Sequence, residues 1–289
     1  MASGVVIVDK LRGPTSFDVV AQVRRAFGEK RVGHAGTLDP MATGVLPVCV
    51  GEATKLVQFL TGGEKEYEAE ALLGVATDTL DATGAVVREA DASAIGEAAV
   101  QEVLASFRGA IKQKPPMHSA IRVGGKRLYQ LARQGLEVER EEREVQIHDA
   151  RLSAFAREGA RVRIAFTVRC GKGTYIRSIA GDLGDRLQVG AHLTALRRTR
   201  VGAFHIDRAV PLDRLAPETP LLGLAEALAD LPSIPLDDQQ AKVVRDGKSA
   251  TVGALPVLGD FVRLLRPDGS LLAVASPSGG RLKLARVFR

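Results

Sequence analysis

Apolar and polar positions alternate along this chain in short blocks, and the blocks predict a mixture of strands and helices. Residues 4–9 carry Val5, Val6, Ile7 and Val8 between Gly4 and Asp9 and read as a first strand. Val19, Val20, Val23 and Phe27 recur at helical spacing, with Ser16 as N-cap and Gly28 as closing residue. Residues 45–50 are continuously apolar and predict a buried segment, and 54–60 predict a short helix ending at Gly62 and Gly63. Residues 65–73 alternate as a strand, with Tyr67 near its start. A helix capped by Ser93 turns Ile95, Val103, Leu104 and Phe107 inward and stops at Gly109. Residues 128–134 predict a short helix ended by Gly135. Strands follow over 145–155 and 160–170. The second sets Val162, Ile164, Phe166 and Val168 on one face and Arg161, Arg163, Ala165, Thr167 and Arg169 on the other. Gly171 to Thr174 turn the chain into a helix from Tyr175, and 219–230 predict a last helix.

Residues 231–236, with Pro232 and Pro235, read as a linker. Beyond it, Gly247, Gly253, Gly259, Gly269, Gly279 and Gly280 separate short apolar strands, and an Asp268-Gly269 hairpin joins 261–265 to 271–275. That pattern predicts a small β-barrel. The fold class is therefore α/β in the α+β sense: a mixed, largely antiparallel central sheet flanked by helices, with a small C-terminal barrel.

One stretch departs from plain patterning. Gly33-His34-Ala35-Gly36-Thr37-Leu38-Asp39-Pro40-Met41-Ala42-Thr43-Gly44-Val45-Leu46 sets one carboxylate between glycine-bearing turns. Pro40 donates no backbone hydrogen bond and biases Asp39 away from the α region. Asp-Pro is also a common turn starter. The other turn-rich loop, 77–84, reads as a connector between strands rather than a substrate contact. Residues 112–127 are basic and full of breakers, the pattern of a mobile insertion, and 137–144 are acidic and solvated.

The chain has 289 residues, 45% hydrophobic and 26% charged. That composition is ordinary for a soluble globular protein, and no apolar run approaches the roughly 18 residues of a membrane span. Cys49 and Cys170 are the only cysteines, which excludes a disulfide framework and favours a reducing, cytoplasmic setting. The five histidines fall at no ligand spacing, so no metal is expected. The Gly171-Lys172-Gly173-Thr174 turn lacks the spacing of a phosphate loop, which disfavours a nucleotide hydrolase. The net charge is +6. Nine basic residues lie between Arg161 and Arg200 against Asp182 and Asp185. Another nine lie between Lys242 and Arg289 against Asp246, Asp260 and Asp268. Two basic zones suit a long polyanion, and a single such run is also ordinary solvated surface.

Residues 33–46, followed by Gly51-Glu52-Ala53-Thr54-Lys55, resemble the signature of the TruB family of transfer-RNA pseudouridine synthases. Asp9-Lys10 with Gly13, Thr15 and Ser16 resembles its first motif, with Leu11 where a proline is usual. Gly173-Thr174-Tyr175-Ile176-Arg177 and residues 190–199 resemble two more. The resemblance covers 5–204 well and the tail loosely. It implies a catalytic domain over 1–231, with an RNA-facing insertion at about 112–144, and a PUA-like RNA-binding domain over 236–289. It implies isomerisation of uridine 55 in the TΨC loop of tRNA, without cofactor, by a cytoplasmic monomer that needs no protein partner and also serves as a tRNA folding chaperone.

By the same resemblance Asp39 is the catalytic aspartate and Arg177 the arginine that pairs with it. Tyr67 stacks on the flipped base, Tyr175 and Leu196 line the substrate, and His34 fills space or contacts RNA during flipping. Read alone, Tyr67 and Leu196 are also good core residues, Arg177 also suits a phosphate or a helix cap, and His34 a structural role. An aromatic is frequent in the family where His118 stands. Lys112, Lys114, Lys126, Arg127, Arg197, Arg198 and Arg200 are candidates for the RNA backbone, setting affinity and salt dependence more than specificity. The competing reading is a non-catalytic RNA-binding protein, which would tolerate Asp39→Asn.

Overall fold

Local patterning and long-range pairing agree over most of the chain in the computed structural model, which describes residues 3–119, 121–132, 134–136, 138–248, 260–278 and 281–288. Strand β1 (Gly4–Lys10) leads into helix α1 (Ser16–Phe27). Strands β2 (Val32–His34) and β3 (Thr43–Val50) flank the glycine-rich loop. A 3₁₀ segment (Gly51–Leu56) and helix α2 (Val57–Leu60) precede strand β4 (Lys65–Leu73). Strands β5 (Val75–Thr77) and β6 (Val86–Glu89) form a separate ribbon. Helix α3 (Glu97–Ala105) is followed by β7 (Gly109–Gln113), the short pair β8 (Arg122–Val123) and β9 (Lys126–Arg127), and helix α4 (Leu128–Ala132). The long strands β10 (Arg143–Glu158) and β11 (Arg161–Cys170) come next, then helix α5 (Ile176–Arg186) and strand β12 (Ala191–Val201). Strands β13 (Phe204–His205) and β14 (Val210–Pro211), helix α6 (Leu224–Ala227), strand β15 (Ser233–Pro235) and helix α7 (Asp238–Arg245) lead to β16 (Val262–Leu265), β17 (Leu271–Ser278) and β18 (Arg281–Val287).

The chain divides into two compact units. One takes in Met1–Asp39, Val45–Thr61 and Gly202–Arg289. Here β1 lies between β14 and β3. Val8 pairs in parallel with Val210, while β2 runs antiparallel to β3 with His34 opposite Val48. β1 and β3 are almost wholly buried, as their unbroken apolar runs require. Helix α1 buries Val19, Val20 and Val23 and ends at Gly28 with φ of 60°. Its N-cap is Thr15 rather than Ser16. Thr15 and Asp18 cap each other reciprocally, and Ser16 is buried with its hydroxyl engaged elsewhere.

The same unit holds a second sheet in the order β15-β16-β17-β18. Gly269, at φ of 80°, turns β16 into β17, and Asp268 accepts from the Ser270 amide. Leu236, Val244, Leu264 and Leu272 are among the residues of its apolar core. Two expectations fail here. The linker at 231–236 contains β15, which pairs in parallel with β16 from Ser233↔Arg263 to Pro235↔Leu265. The helix over 219–230 shrinks to α6, because the backbone of Leu222 exchanges two hydrogen bonds with Val5 of β1 and is held extended. Among the described residues the tail is an open sheet. The turns expected at Gly253, Gly259, Gly279 and Gly280 lie outside them.

The other unit, Pro40–Gly44 with Gly62–Val201, is built on the order β12-β4-β11-β10-β7, antiparallel throughout. Thr43 and Gly44 pair in parallel with Arg197 and Arg198. Gly44 has φ of 100°, and a Cβ there would overlap the Arg198 backbone, so only glycine fits. Val162, Ile164, Phe166 and Val168 are buried on one face of β11, as their alternation predicts. Helix α5 packs on β12 and α3 on β10. α3 starts at Glu97 with Gly96 at its N-cap, three residues beyond Ser93, whose amide instead bonds Asp91. The ends of the 112–144 stretch lie in the sheet, where Gln113 pairs with Arg143 and Lys112 with Glu144.

Candidate active site

The aspartate loop spans the gap between β2 and β3. The Ser16 hydroxyl donates to the Leu38 carbonyl at 3.0 Å and accepts from the Leu38 amide at 2.9 Å. One buried side chain thus satisfies both backbone groups of the residue before Asp39. The Ala35 amide bonds the Pro47 carbonyl at 2.9 Å. Ala35 and Leu38 are buried, whereas Asp39 stays partly open to solvent. The sequence therefore fixes the loop through its apolar residues, and Asp39 itself is half-buried. His34, at the end of β2, is half-buried and meets the Phe17 ring edge to face, with centroids 5.6 Å apart.

In the other unit, β4 and β12 bring Tyr67 and Leu196 together. Arg198 stands opposite Tyr67, and Leu196 stands opposite Ala69. Directly paired residues in antiparallel strands point to the same side, so Tyr67 and Leu196 share one face of the sheet. Each is 7% exposed. Tyr175 caps α5, and its backbone is clamped by Gln113. The Tyr175 amide donates to Gln113 Oε1 at 2.8 Å, and Gln113 Nε2 donates to the Tyr175 carbonyl at 3.0 Å.

Arg177, in the first turn of α5, is 3% exposed. Its Nη2 donates to the His118 carbonyl at 2.8 Å and its Nη1 to the Thr79 carbonyl at 3.2 Å. The Asp81 carboxylate lies 3.5 Å from Nη1. Asp81 is also buried. One of its oxygens accepts from the Thr79 hydroxyl at 2.9 Å, the Thr83 amide at 2.9 Å and the Thr83 hydroxyl at 2.5 Å. A buried guanidinium needs a compensating charge, and Asp81 supplies one. The 77–84 loop is therefore a hydrogen-bonded cradle for Arg177 rather than a plain connector. Gln113, Thr79 and Asp81 escape a reading of local pattern. The signal that marks Thr79 and Asp81 is the run of short hydroxyl and acid side chains from Thr77 to Thr83, which bond their own backbone; none marks Gln113.

Ser178 Oγ donates to the Lys114 carbonyl at 3.1 Å, so the backbone of 113–118 is tied to the start of α5 while the Lys112 and Lys114 side chains are exposed. Lys126 is exposed as well, and the Arg127 side chain is outside the described residues. Arg197 and Arg200 are half-buried, and Arg200 lies 3.4 Å from Glu66 and 3.5 Å from Glu64. Arg198 is 1% exposed, which removes it from the exposed candidates for RNA contact. Burial, with the nearby Arg198 charge next, lowers Lys65 to about 8. Cys49 and Cys170 are buried, and burial pushes their thiols up to about 12 and about 11, so neither is a ready nucleophile. Among the described residues no three His, Cys, Asp or Glu side chains gather as a metal site.

Residues 24–176 match the model of the TruB family pseudouridylate synthase N-terminal domain, and 177–221 match that of the tRNA pseudouridylate synthase B C-terminal domain. The tRNA pseudouridine synthase B of Symbiobacterium thermophilum is 52% identical over 86% of this chain and 83% of its own length. That of Thermobifida fusca is 48% identical over 100% of this chain and 99% of its own. Among solved structures, a chain of a Cbf5-Nop10-Gar1 complex superposes with a TM-score of 0.77 at 28% identity, over 99% of this chain and 85% of that one. The aspartate loop, the Arg177 cradle and these matches lead to one assignment: the chain belongs to the TruB family and is a pseudouridine synthase.

Proposed function

We propose that this enzyme isomerises uridine 55, in the TΨC loop of tRNA, and that Asp39 is its catalytic residue. The observation that carries the reading is the Asp39 loop: a half-buried aspartate whose neighbour Leu38 is locked by Ser16 on both backbone groups. Two relatives, 52% and 48% identical, are named for activity on tRNA, which supports the substrate class. The N1–C1′ bond of uridine breaks, the base turns, and C5 bonds C1′. C5 loses its proton and N1 gains one, so nothing is oxidised and no group leaves. A positioned carboxylate serves this chemistry as nucleophile or as base.

A uridine in a folded loop is reached by flipping it out of its stack, at a cost of roughly a few kcal/mol. Tyr67 stacks on that base, Tyr175 and Leu196 line the substrate, and His34 contacts the RNA from which it was displaced. Arg177 supplies the positive charge of the centre. Lys112, Lys114, Lys126, Arg197 and Arg200 meet phosphates. The tail over 236–289 acts as a PUA-like RNA-binding domain, and the enzyme works as a cytoplasmic monomer. No described helix is long and apolar enough to cross a membrane.

The test uses an unmodified tRNA transcript, the purified protein without added cofactor, and base-resolution detection of pseudouridine. The expected result is modification at uridine 55, with none when that position is cytidine. Modification elsewhere would overturn the assignment of position, and none at all would overturn the reading.

A further inference from the structure

The outward face of α1 carries a feature that the Asp39 chemistry does not use. Phe17 is 63% exposed and is the one aromatic among the large exposed hydrophobics of the described residues. Burying that ring in the core would be favourable, yet the fold holds it outside, in contact with the edge of His34 at 5.6 Å and 88°. Its backbone neighbour Ser16 is the residue that locks Leu38 beside Asp39. The ring thus lies beside the Asp39 loop: it touches His34, and it follows Ser16 in the chain.

The charge around it is also ordered. Phe17, Ala21 and Arg24 follow at i, i+4 and i+7, and all three are exposed, so they form one stripe along the helix. Arg24 stands roughly 10 Å along the axis from Phe17. Its Nη2 donates to the Val32 carbonyl at 3.1 Å, which fixes its reach next to β2. Arg25 is exposed in the same last turn. The acid on this side, Asp18, accepts from the Thr15 amide and hydroxyl at 2.8 and 2.7 Å. An exposed ring with cations about two helical turns away matches a nucleobase and the phosphates beyond it.

We infer that Phe17 is a nucleobase-stacking residue of this enzyme: with His34 it makes an aromatic edge beside the Asp39 loop that receives an RNA base next to the target uridine, while Arg24 takes a backbone phosphate. This rests on the proposed tRNA substrate. Stacking on the exposed ring lowers the cost of holding the RNA loop open.

The experiment compares wild type, Phe17→Ala, Phe17→Tyr and Arg24→Gln on one tRNA transcript, by equilibrium binding over a salt series and by single-turnover isomerisation, with thermal midpoints as control. Phe17→Ala is expected to weaken binding roughly tenfold at an unchanged midpoint, the usual size of one lost base–aromatic stack, while Phe17→Tyr retains wild-type affinity. Arg24→Gln is expected to reduce the slope of log affinity against log salt by about one. Wild-type affinity and rate in Phe17→Ala would overturn the inference, as would equal losses in the alanine and tyrosine variants. Wild type that binds the transcript without isomerising it would sink the functional reading alone, and the Phe17 binding arm would still decide this one.

Discussion

Two acids sit in two turn-rich loops of this molecule, and they are held in opposite ways. Asp39 lies in a loop fixed by its neighbours: Ser16 holds Leu38, and Ala35 bonds Pro47, while Asp39 itself is only half-buried. Asp81 lies in a loop fixed by the acid itself. It is 4% exposed, takes three hydrogen bonds on one oxygen and faces Arg177 with the other. A carboxylate that reacts needs access and a rigid backbone behind it. A carboxylate that supports a buried cation needs its lone pairs occupied, because every empty one carries a desolvation cost. Accessibility, not loop composition, separates the two.

The comparison breaks most sharply at Asp39. Asp39→Asn keeps the shape and removes the charge, and single-turnover isomerisation is expected to fall by at least about 10²–10⁴-fold while tRNA affinity holds. Activity near wild type would assign the chemistry to another residue. Next in size is Arg177→Met, which leaves Asp81 buried without its cation. A destabilisation of about 3–5 kcal/mol is expected by denaturant titration, and part of it should return in the Arg177→Met, Asp81→Asn double variant, which removes the uncompensated charge and keeps an oxygen for the Thr79 and Thr83 donors.

Ser16→Ala strips both backbone groups of Leu38 of their partner. A loss of about 1–3 kcal/mol is expected, with a slower single-turnover rate because the loop carrying Asp39 loosens. Unchanged rate and stability would show that the loop is held without Ser16.

The smallest effect concerns pH. Burial raises Asp182 in α5 to about 6; Arg186 opposes the shift, and Asp185 and Glu142 add to it. The folded state therefore holds this proton more tightly than the unfolded chain. The resulting stability is full below the ordinary value of 3.8 and is lost as pH rises through about 6. Asp182→Asn is expected to gain about 1–2 kcal/mol at neutral pH and to flatten the thermal midpoint between those two values.

The contrast also explains what was legible from the chain. Strand β4 and most of β11 follow their alternation because each side chain faces one environment. The Asp39 loop announces itself through glycine and proline, which act on their own backbone. The misses come from partners far along the chain. Thr15 and Ser16 are equally good caps, and the choice is made by Leu38, which occupies the Ser16 hydroxyl. Residues 219–230 carry helical spacing, yet Leu222 is drawn into pairing with Val5. The Pro232 to Pro235 stretch looks like a linker, and pairing with Arg263 to Leu265 makes it a strand. The Arg177 cradle joins residues 98 and 59 positions apart, beyond any local pattern.

Thermal unfolding of Asp39→Asn beside Asp81→Asn tests the central claim most directly. Both substitutions are isosteric and each removes one negative charge. Asp81→Asn is expected to lower the midpoint by several degrees, since the buried Asp81 loses the charge that faces Arg177, and Asp39→Asn is expected to lower it less. Equal midpoints, or a larger loss in Asp39→Asn, would contradict the division of labour between the two acids.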